Sequence, residues 1–349
     1  MNKKKNLAFV GAGFIGQTCH IQNYFENSNC NLIALAEYKP KLRKLVAKKY
    51  NFKNHYSNHI EMLDSENNLD AVIVVTNRFL TASIVKDCLN RNLNVFAEKP
   101  IALNFHTAKQ LVKISKRKNL ILKIGYNKIY DEGVNLGKRI FNKLLTTKEL
   151  GNLEFVRSHR FSGTGYCNLS GYIKTKEKIN IQSNDDSPSF LKNLIRTQYL
   201  SYLNLYCHNI NLLRNFLGTK PKIEYADINK NNTGIVILDF KGIKISLETK
   251  DYKDNFWDES FKFYFEKGLL EIKTPPQQLI NVPSKVSLFK RTNKPIEIKP
   301  KSNFSWSFKN QSKAFIDDLK FNSCLINSGE NSIIDIKIVE EIFKNINDK

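Results

Sequence analysis

The chain has 349 residues, of which 41% are hydrophobic and 25% charged, so it is too apolar for a disordered protein and too long for one ordinary core. Two domains are expected. No run approaches the roughly 18 apolar residues of a membrane span, and the N-terminus lacks the pattern of a signal peptide. Six cysteines without a C-x-x-C pair indicate neither disulfides nor zinc. We therefore expect a cytoplasmic protein without a membrane partner.

The net charge of +22 raises the question of nucleic-acid binding. Lysines are spread along the whole chain among acidic residues, without the basic stripe and interleaved aromatic residues that phosphate binding requires. We therefore predict no nucleic-acid partner. The positive field is still suited to attracting small anionic substrates such as sugar acids or nucleotide sugars.

Residues 1–124 alternate short apolar runs with helical stretches, which is typical of a parallel sheet covered on both faces, a doubly wound Rossmann domain. The continuous apolar run at 71–75 fits a buried parallel strand. The predicted strands are Leu7–Val10, Leu32–Ala36, Ala71–Thr76, Asn94–Ala97 and Leu120–Gly125. The predicted helices include Lys41–Tyr50, Ser83–Arg91 and His106–Lys118.

The pattern of predicted elements changes after residue 124. Residues 125–349 predict an α+β domain with a large, mostly antiparallel open sheet, which would bind substrate and mediate oligomerisation. Short turns separate its consecutive strands, as in a meander. One face of such a sheet lacks helices, so a homodimer or homotetramer through this sheet is expected. Two closing helices at 304–346 are expected to pack back toward the first domain. The predicted elements are the helix Val134–Leu145, the strand Leu153–Phe161, the helix Gln198–Phe216 ended by Gly218, the strands Thr233–Phe240, Ile243–Lys250, Phe261–Glu266 and Leu269–Lys273, and the helices Phe304–Phe321 and Ser332–Ile346.

A glycine-rich turn follows the first predicted strand and opens a helix. It reads Gly11-Ala12-Gly13-Phe14-Ile15-Gly16. In a dinucleotide-binding turn the first glycine permits the tight turn, the second lets the backbone approach a pyrophosphate, and the third allows close helix packing. Glu37 ends the second strand, where an acid binds the adenosine ribose hydroxyls. The sequence therefore predicts a dinucleotide cofactor at this turn.

Glu37 also bears on which dinucleotide binds, because a carboxylate pairs with a 2′-hydroxyl and repels a 2′-phosphate. NAD is favoured for this reason. Lys39, Lys41 and Arg43 follow closely and could accept a phosphate if Glu37 turned aside, so NADP stays open.

Glu98-Lys99-Pro100 ends the predicted strand Asn94–Ala97, at the sheet edge where ligands of open α/β folds bind. With this motif the chain resembles the Gfo/Idh/MocA family of glucose-fructose oxidoreductase and inositol 2-dehydrogenase. The resemblance extends over nearly the whole chain. The segments that carry it are GAGFIG at 11–16, Thr76-Asn77, FAEKPIAL at 96–103, IGYNKIYDEG at 124–133, ELGNLEFVRSHRFSG at 149–163 and NLYCHNINLLRNFLG at 204–218.

The resemblance implies that Lys99 donates to the substrate oxygen and that His208 is the acid/base. Asn204 lies four residues before His208, where the family usually has Asp, and an amide gives an imidazolium less electrostatic support. A cis Lys99-Pro100 peptide is also implied. Further implied cofactor contacts are Thr76, Asn77, Glu98, Lys99 and Asn127, and further implied substrate contacts are Tyr126, Lys128, Arg160 and Asn204, with His159 and Tyr166 beside them.

His55 and His59 have helical spacing but no third ligand nearby, so no metal site is predicted. The resemblance implies an NAD(P)-dependent dehydrogenase or reductase that interconverts a secondary alcohol and a ketone on a sugar, polyol or nucleotide sugar. Two alternatives stay open. The first is a glycosidase-like enzyme that uses bound NAD transiently, and the second is a redox-inert, cofactor-binding regulatory protein.

Overall fold

The computed structural model describes residues 3–163, 170–181, 185–191, 193–218, 220–291, 294–324 and 326–346. It divides into two compact units. The first unit comprises residues 1–126, 169–188 and 308–336, and the second comprises 127–168, 189–307 and 337–349. Each unit is thus assembled from separate stretches of the chain.

The first unit contains a six-stranded sheet in which all neighbouring strands are parallel. The strands are β1 (Lys5–Val10), β2 (Cys30–Ala36), β3 (Asn54–Tyr56), β4 (Ala71–Val74), β5 (Asn94–Ala97) and β6 (Leu122–Ile124). Their order in the sheet is β3-β2-β1-β4-β5-β6, which confirms the predicted Rossmann sheet. Strand β3 was not predicted, and β4 ends two residues earlier than predicted.

Helices connect these strands, and several begin at an asparagine whose side chain accepts a backbone N–H of the first turn. Asn58, Asn77 and Asn104 each do this. The first helix, α1, has a π-helical part (Gly16–Ile21) and an α-helical turn (Gln22–Phe25). The others are α2 (Pro40–Lys49), α3 (His59–Ser65), α4 (Arg78–Asn90) and α5 (Phe105–Arg117).

The second unit contains an eight-stranded sheet. The strands are β7 (Leu153–Ser162), β8 (Lys222–Ile228), β9 (Gly234–Phe240), β10 (Ile243–Asp251), β11 (Trp257–Phe265), β12 (Gly268–Lys273), β13 (Lys285–Lys290) and β14 (Ile296–Ile298). Their order in the sheet is β14-β13-β12-β11-β7-β10-β9-β8. Neighbouring strands are antiparallel except that β7 runs parallel to β10, which confirms the predicted mostly antiparallel sheet.

Helices of the second unit pack on one face of this sheet through aromatic side chains. Phe141 and Phe216 lie on helices, and both contact Phe263 of β11, with ring centroids 4.7 and 4.9 Å away. The predicted helices end within two residues of their observed ends, but the helices predicted to begin at Ser83 and Gln198 each begin five residues earlier, at Arg78 and Asn193. The helices of the second unit are α6 (Glu132–Thr147), α7 (Asn193–Ser201), a π-helical segment (Tyr202–Tyr206) and α8 (Cys207–Leu217). Of the two closing helices, α9 (Ser307–Phe321) belongs to the first unit except for Ser307, and α10 (Gly329–Lys344) is divided between the two units after residue 336.

An exposed aromatic side chain and a half-buried ion pair lie elsewhere on the sheet. Phe155 is exposed beside Tyr264, and Arg157 forms an ion pair with Glu248. Oligomerisation through this sheet stays a prediction. Within the described ranges, no helix has both the length and the apolar character needed to cross a membrane.

Candidate functional site

The glycine turn between β1 and α1 has the backbone that a dinucleotide requires. Gly11 has a φ of +95°, and a Cβ there would collide with the carbonyl oxygen of Val75. A Cβ at Gly16 would lie 3.0 Å from the carbonyl oxygen of Gly11. A Cβ at Gly13 would meet no protein atom within 4 Å. The first and third glycines therefore allow close packing, whereas the second faces open space.

This open space is part of a cavity of about 320 Å³ in the first unit. Glu37 faces it with its carboxylate fixed by two backbone N–H groups, from Ala12 at 2.8 Å and Lys39 at 3.1 Å. Backbone N–H groups of a glycine turn and of a helix start donate to a pyrophosphate, and a positioned carboxylate accepts from the ribose hydroxyls, so the residues fit a dinucleotide cofactor. Of the residues proposed for the cofactor from sequence, Gly11, Gly13, Ile15, Gly16, Glu37, Thr76 and Asn77 line this cavity.

Glu98-Lys99-Pro100 follows β5 in the same parallel sheet, and the Lys99–Pro100 peptide is cis, as the resemblance implied. The carboxylate of Glu98 is held on both oxygens. Oε2 accepts the backbone N–H of Lys99 at 3.1 Å, and Oε1 lies 2.8 Å from Nε2 of His20. His20 is 1% exposed and packs between the rings of Phe96 and Phe308.

His20 was missed in the sequence analysis, although its position one turn into the helix after Gly16 was a signal. Histidine is polar, and a buried polar side chain in the first turns of this helix requires a partner. That partner is Glu98, the first residue of the motif that contains Lys99. The structure thus joins the two sequence motifs of the first unit through one buried contact.

In the second unit, Asn204 lies in the π-helical segment and His208 lies in the first turn of α8. His208 is 1% exposed, whereas Asn204 is half-buried. The helix ends at Gly218, whose φ of +81° is the left-handed cap predicted from sequence. Lys99 and His208 therefore belong to different units.

Lys128 and Arg160 belong to a buried charged group in the second unit. Lys128 Nζ forms an ion pair with Glu259, whose Oε2 also accepts the hydroxyl of Thr274 at 2.5 Å. The Arg160 guanidinium lies over the ring of Trp257, 4.8 Å from its centroid, and donates to the carbonyl of Leu205 at 2.9 Å. Glu259 was missed because the sequence gives it no local motif.

Burial controls the protonation of this group. It lowers the pKa of Lys128 to about 8, although the carboxylate of Glu259 favours the charged ammonium. Burial raises the pKa of Glu259, but the charges of Lys128 and Arg160 and the hydrogen bonds from Lys128 and Thr274 together lower it more, so the net shift is downward. Glu259 is therefore ionised at neutral pH, and two cations share one carboxylate.

The other residues proposed from sequence are mostly buried. The Tyr126 side chain is buried in the first unit, and its backbone carbonyl accepts the amide of Asn327 at 2.7 Å. In the second unit Asn127 donates to the hydroxyl of Ser307 at 2.9 Å, and His159 Nε2 lies 3.1 Å from Asp258. Phe14 contacts Tyr172, with ring centroids 4.9 Å apart. Tyr166 lies outside the described residues.

The two histidines considered for a metal do not lie on one helix. His55 is in β3, and His59 opens α3 with its Nε2 2.9 Å from Asp87. Among the described residues, no group of three or more His, Cys, Asp or Glu side chains is placed to hold a metal ion.

Comparison with known proteins agrees with this geometry. Residues 5–126 match the model of Gfo/Idh/MocA, an oxidoreductase family with an NAD-binding Rossmann fold. The myo-inositol 2-dehydrogenase of Thermotoga maritima is 24% identical over 274 residues, which are 75% of this chain and 73% of that protein.

Solved structures show the same fold. A putative NADPH-dependent oxidoreductase from Desulfitobacterium hafniense has a TM-score of 0.80 at 15% identity, over 99% of this chain and 96% of that one. KijD10, a 3-ketoreductase from Actinomadura kijaniata in complex with NADP and TDP-benzene, has a TM-score of 0.77 at 14% identity, over 99% of both chains. The match of residues 5–126 shows that this part of the chain is similar to the NAD-binding Rossmann domain of the Gfo/Idh/MocA oxidoreductase family.

Proposed function

We propose that this protein is an NAD-dependent oxidoreductase that interconverts a secondary alcohol and a ketone on a sugar, a polyol such as an inositol, or a nucleotide sugar. The observation that carries the proposal is the position of Lys99. It follows β5 of the parallel sheet that also bears the glycine turn after β1, and ligands of such sheets bind at the carboxyl ends of the strands. The names of the relatives, an inositol dehydrogenase and a sugar ketoreductase, support the substrate class.

The reaction needs a hydride carrier and a group that exchanges the hydroxyl proton. Bound nicotinamide supplies the first. In our proposal the ammonium of Lys99 donates to the substrate oxygen and favours its alkoxide character, and His208 takes or returns the proton. Asn204 holds the imidazole or a substrate hydroxyl. Because an amide carries no charge, it stabilises an imidazolium less than a carboxylate would.

Glu37 supports NAD as the preferred cofactor. Its carboxylate is held by two backbone N–H groups, so it is fixed at the cavity rather than free to turn away. Arg43, a candidate for binding a 2′-phosphate, donates instead to the backbone carbonyl of Glu37 at 2.7 Å. The proposed substrate contacts are Tyr126, Lys128, Arg160, Asn204 and His208, and the proposed cofactor contacts further include Ala12, Phe14, Glu98, Lys99 and Asn127.

The test is a screen of inositols, sugar acids and UDP-sugars with NAD⁺ and with NADP⁺, in which formation of the reduced cofactor is measured. Lys99→Ala and His208→Ala should each lower kcat at least about a hundredfold, the usual size of an acid/base effect. His208→Ala should leave NADH affinity within about twofold, because His208 is proposed to contact the substrate and not the cofactor. Lys113→Ala and His106→Ala, at exposed positions of α5, are the matched controls.

If both residues act in the same step, the double variant should lose little more activity than either single variant. Full turnover in Lys99→Ala or His208→Ala would contradict the roles proposed. Substrate consumption without net formation of reduced cofactor would favour transient oxidation. Tight NADH binding with no turnover across the screen would favour a regulatory protein.

A further inference from the structure

Residues 170–181, here called the strap, belong to the first unit although they follow β7 in sequence. The amide of Gln17 in α1 holds the strap by a pair of hydrogen bonds. Its Oε1 accepts the backbone N–H of Ile173 at 2.8 Å, and its Nε2 donates to the carbonyl of the same residue at 2.9 Å. The same Nε2 donates to the carbonyl of Ala12 at 2.8 Å. One side chain thus ties the strap to the dinucleotide-binding turn.

A second attachment lies at the start of α2. The carboxylate of Glu177 accepts the backbone N–H of Lys41 at 2.9 Å on Oε1 and that of Leu42 at 3.1 Å on Oε2. Thr175 donates its hydroxyl to Oε2 at 2.9 Å. The first N–H groups of a helix are groups that a phosphate would otherwise bind. In this protein a carboxylate of its own chain binds them.

Glu177 is negatively charged at neutral pH. Burial raises its pKa, but the hydrogen bonds from Lys41, Thr175 and Leu42 lower it more, so the net shift is downward. It therefore adds a second negative charge to that of Glu37, which lies just before α2.

The strap also borders the cofactor cavity. Ile181 lines the cavity together with Glu37, Tyr38 and Lys39. In Rossmann domains the acid at the end of β2 binds the adenosine ribose, and a 2′-phosphate is accommodated next to it. Glu37 accepts the backbone N–H of Lys39, and Glu177 accepts those of Lys41 and Leu42, two and three residues further along the chain. Both carboxylates thus lie along the segment that a 2′-phosphate would approach.

We infer that Glu177 is a second determinant of cofactor identity, which acts with Glu37 to exclude the 2′-phosphate of NADP. The inference rests on the proposed function, because it assumes that NAD binds in this cavity. The strap thereby makes a segment distant in sequence part of the cofactor site. Lys41 and the other cations nearby would favour a phosphate, and Glu177 counters them.

The experiment measures the dissociation constants of NADH and NADPH by cofactor fluorescence on the full-length protein without substrate. The variants are Glu177→Gln, which keeps a hydrogen-bond acceptor, Glu177→Ala, which frees the helix N–H groups, and Glu177→Lys, which reverses the charge. Glu154→Gln, at an exposed position of β7, controls for net charge, and Glu37→Gln is the positive control. Thermal melting reports whether each variant is folded.

We expect the wild-type protein to bind NADH more tightly than NADPH. Glu177→Gln should tighten NADPH binding about threefold and Glu177→Ala about fivefold, with NADH within about twofold, the size expected for one charge near a helix start. Glu177→Lys should tighten NADPH binding further, and Glu154→Gln should change neither constant. High salt should reduce the differences, because it screens exposed charges.

Three results would overturn the inference. If Glu37→Gln improves NADPH binding and the Glu177 variants do not, the inference fails while the proposed function stands. If the Glu177 variants bind both NADH and NADPH more weakly and also melt at a lower temperature, the strap is only structural and Glu177 does not select between the cofactors. A wild-type protein that prefers NADPH, or that binds neither cofactor, would remove the NAD preference itself.

Discussion

Gly13→Ala separates the requirements of the fold from those of the cofactor, because Gly13 is the one glycine of the turn whose added Cβ would meet no protein atom within 4 Å. Its backbone is outside the positive-φ region, so alanine fits there. The free energy of unfolding should change by less than about 1 kcal/mol, and a gain is expected because alanine restricts the unfolded chain. The melting temperature should therefore shift by less than about 4 °C.

Cofactor affinity should respond in the opposite way. A methyl group at Gly13 occupies the space through which the pyrophosphate approaches the backbone, so the dissociation constant of NADH should rise at least about tenfold, or about 1.4 kcal/mol. Fluorescence titration of NADH and a thermal melt of the same sample measure both quantities.

Gly11→Ala is the matched control. Its Cβ would collide with the Val75 carbonyl at a φ of +95°, and the strain should lower the melting temperature by several degrees, from a cost of about 1–3 kcal/mol. If Gly13→Ala binds NADH like the wild type, the cavity does not hold the pyrophosphate. If it melts as early as Gly11→Ala, the open space at Gly13 does not exist in solution.

Three further predictions concern buried polar and charged side chains. Glu259→Gln leaves Lys128 and Arg160 without their carboxylate and should destabilise the protein by about 3–5 kcal/mol, and an unchanged melting temperature would contradict this. Because the pKa of Lys128 falls to about 8 on folding, the unfolded chain binds more protons than the folded protein above that pH. The free energy of unfolding, measured relative to that of Lys128→Met, should therefore rise between about pH 8 and 10. A difference between the two proteins that does not change with pH would argue against this pKa. His20→Ala removes the contact to Glu98 and should lower kcat about tenfold while NADH affinity is kept. His20→Gln should restore part of the rate. Equal kcat in the wild type and both variants would refute the positioning role of His20.

Most of the first unit could be predicted because each element carries its own local pattern. The apolar run of β4 is buried on both faces, and the turn at Gly11 needs a backbone that only glycine adopts readily. The strand at Asn54–Tyr56 could not be found in this way, since it is a short, largely exposed strand at the sheet edge and has no apolar residue pattern. A local pattern also does not specify partners, so the parallel pairing of β7 with β10 was not predicted.

The difference between local patterns and partners distant in sequence also explains what could be predicted of the site. Gly11–Gly16 and Glu98–Pro100 are contiguous motifs whose chemistry is local. Lys128 and Glu259 are separated by 131 residues in sequence, and Lys41 and Glu177 by 136. Neither pair has a spacing that a helix or a turn could dictate. A single sequence therefore shows such residues only as separate charges, and folding alone makes them partners.

Helix geometry modifies one further prediction, the pairing of Asn204 with His208. A spacing of four residues places side chains one above the other in an α-helix. Tyr202–Tyr206 is π-helical, with hydrogen bonds that close at five residues, so Asn204 and His208 are joined by a wider turn than in an α-helix. A spacing of four residues stays close to one helical turn in either geometry. The role proposed for Asn204, to hold an imidazole or a substrate hydroxyl with its neutral amide, therefore stays a prediction that the wider turn does not remove.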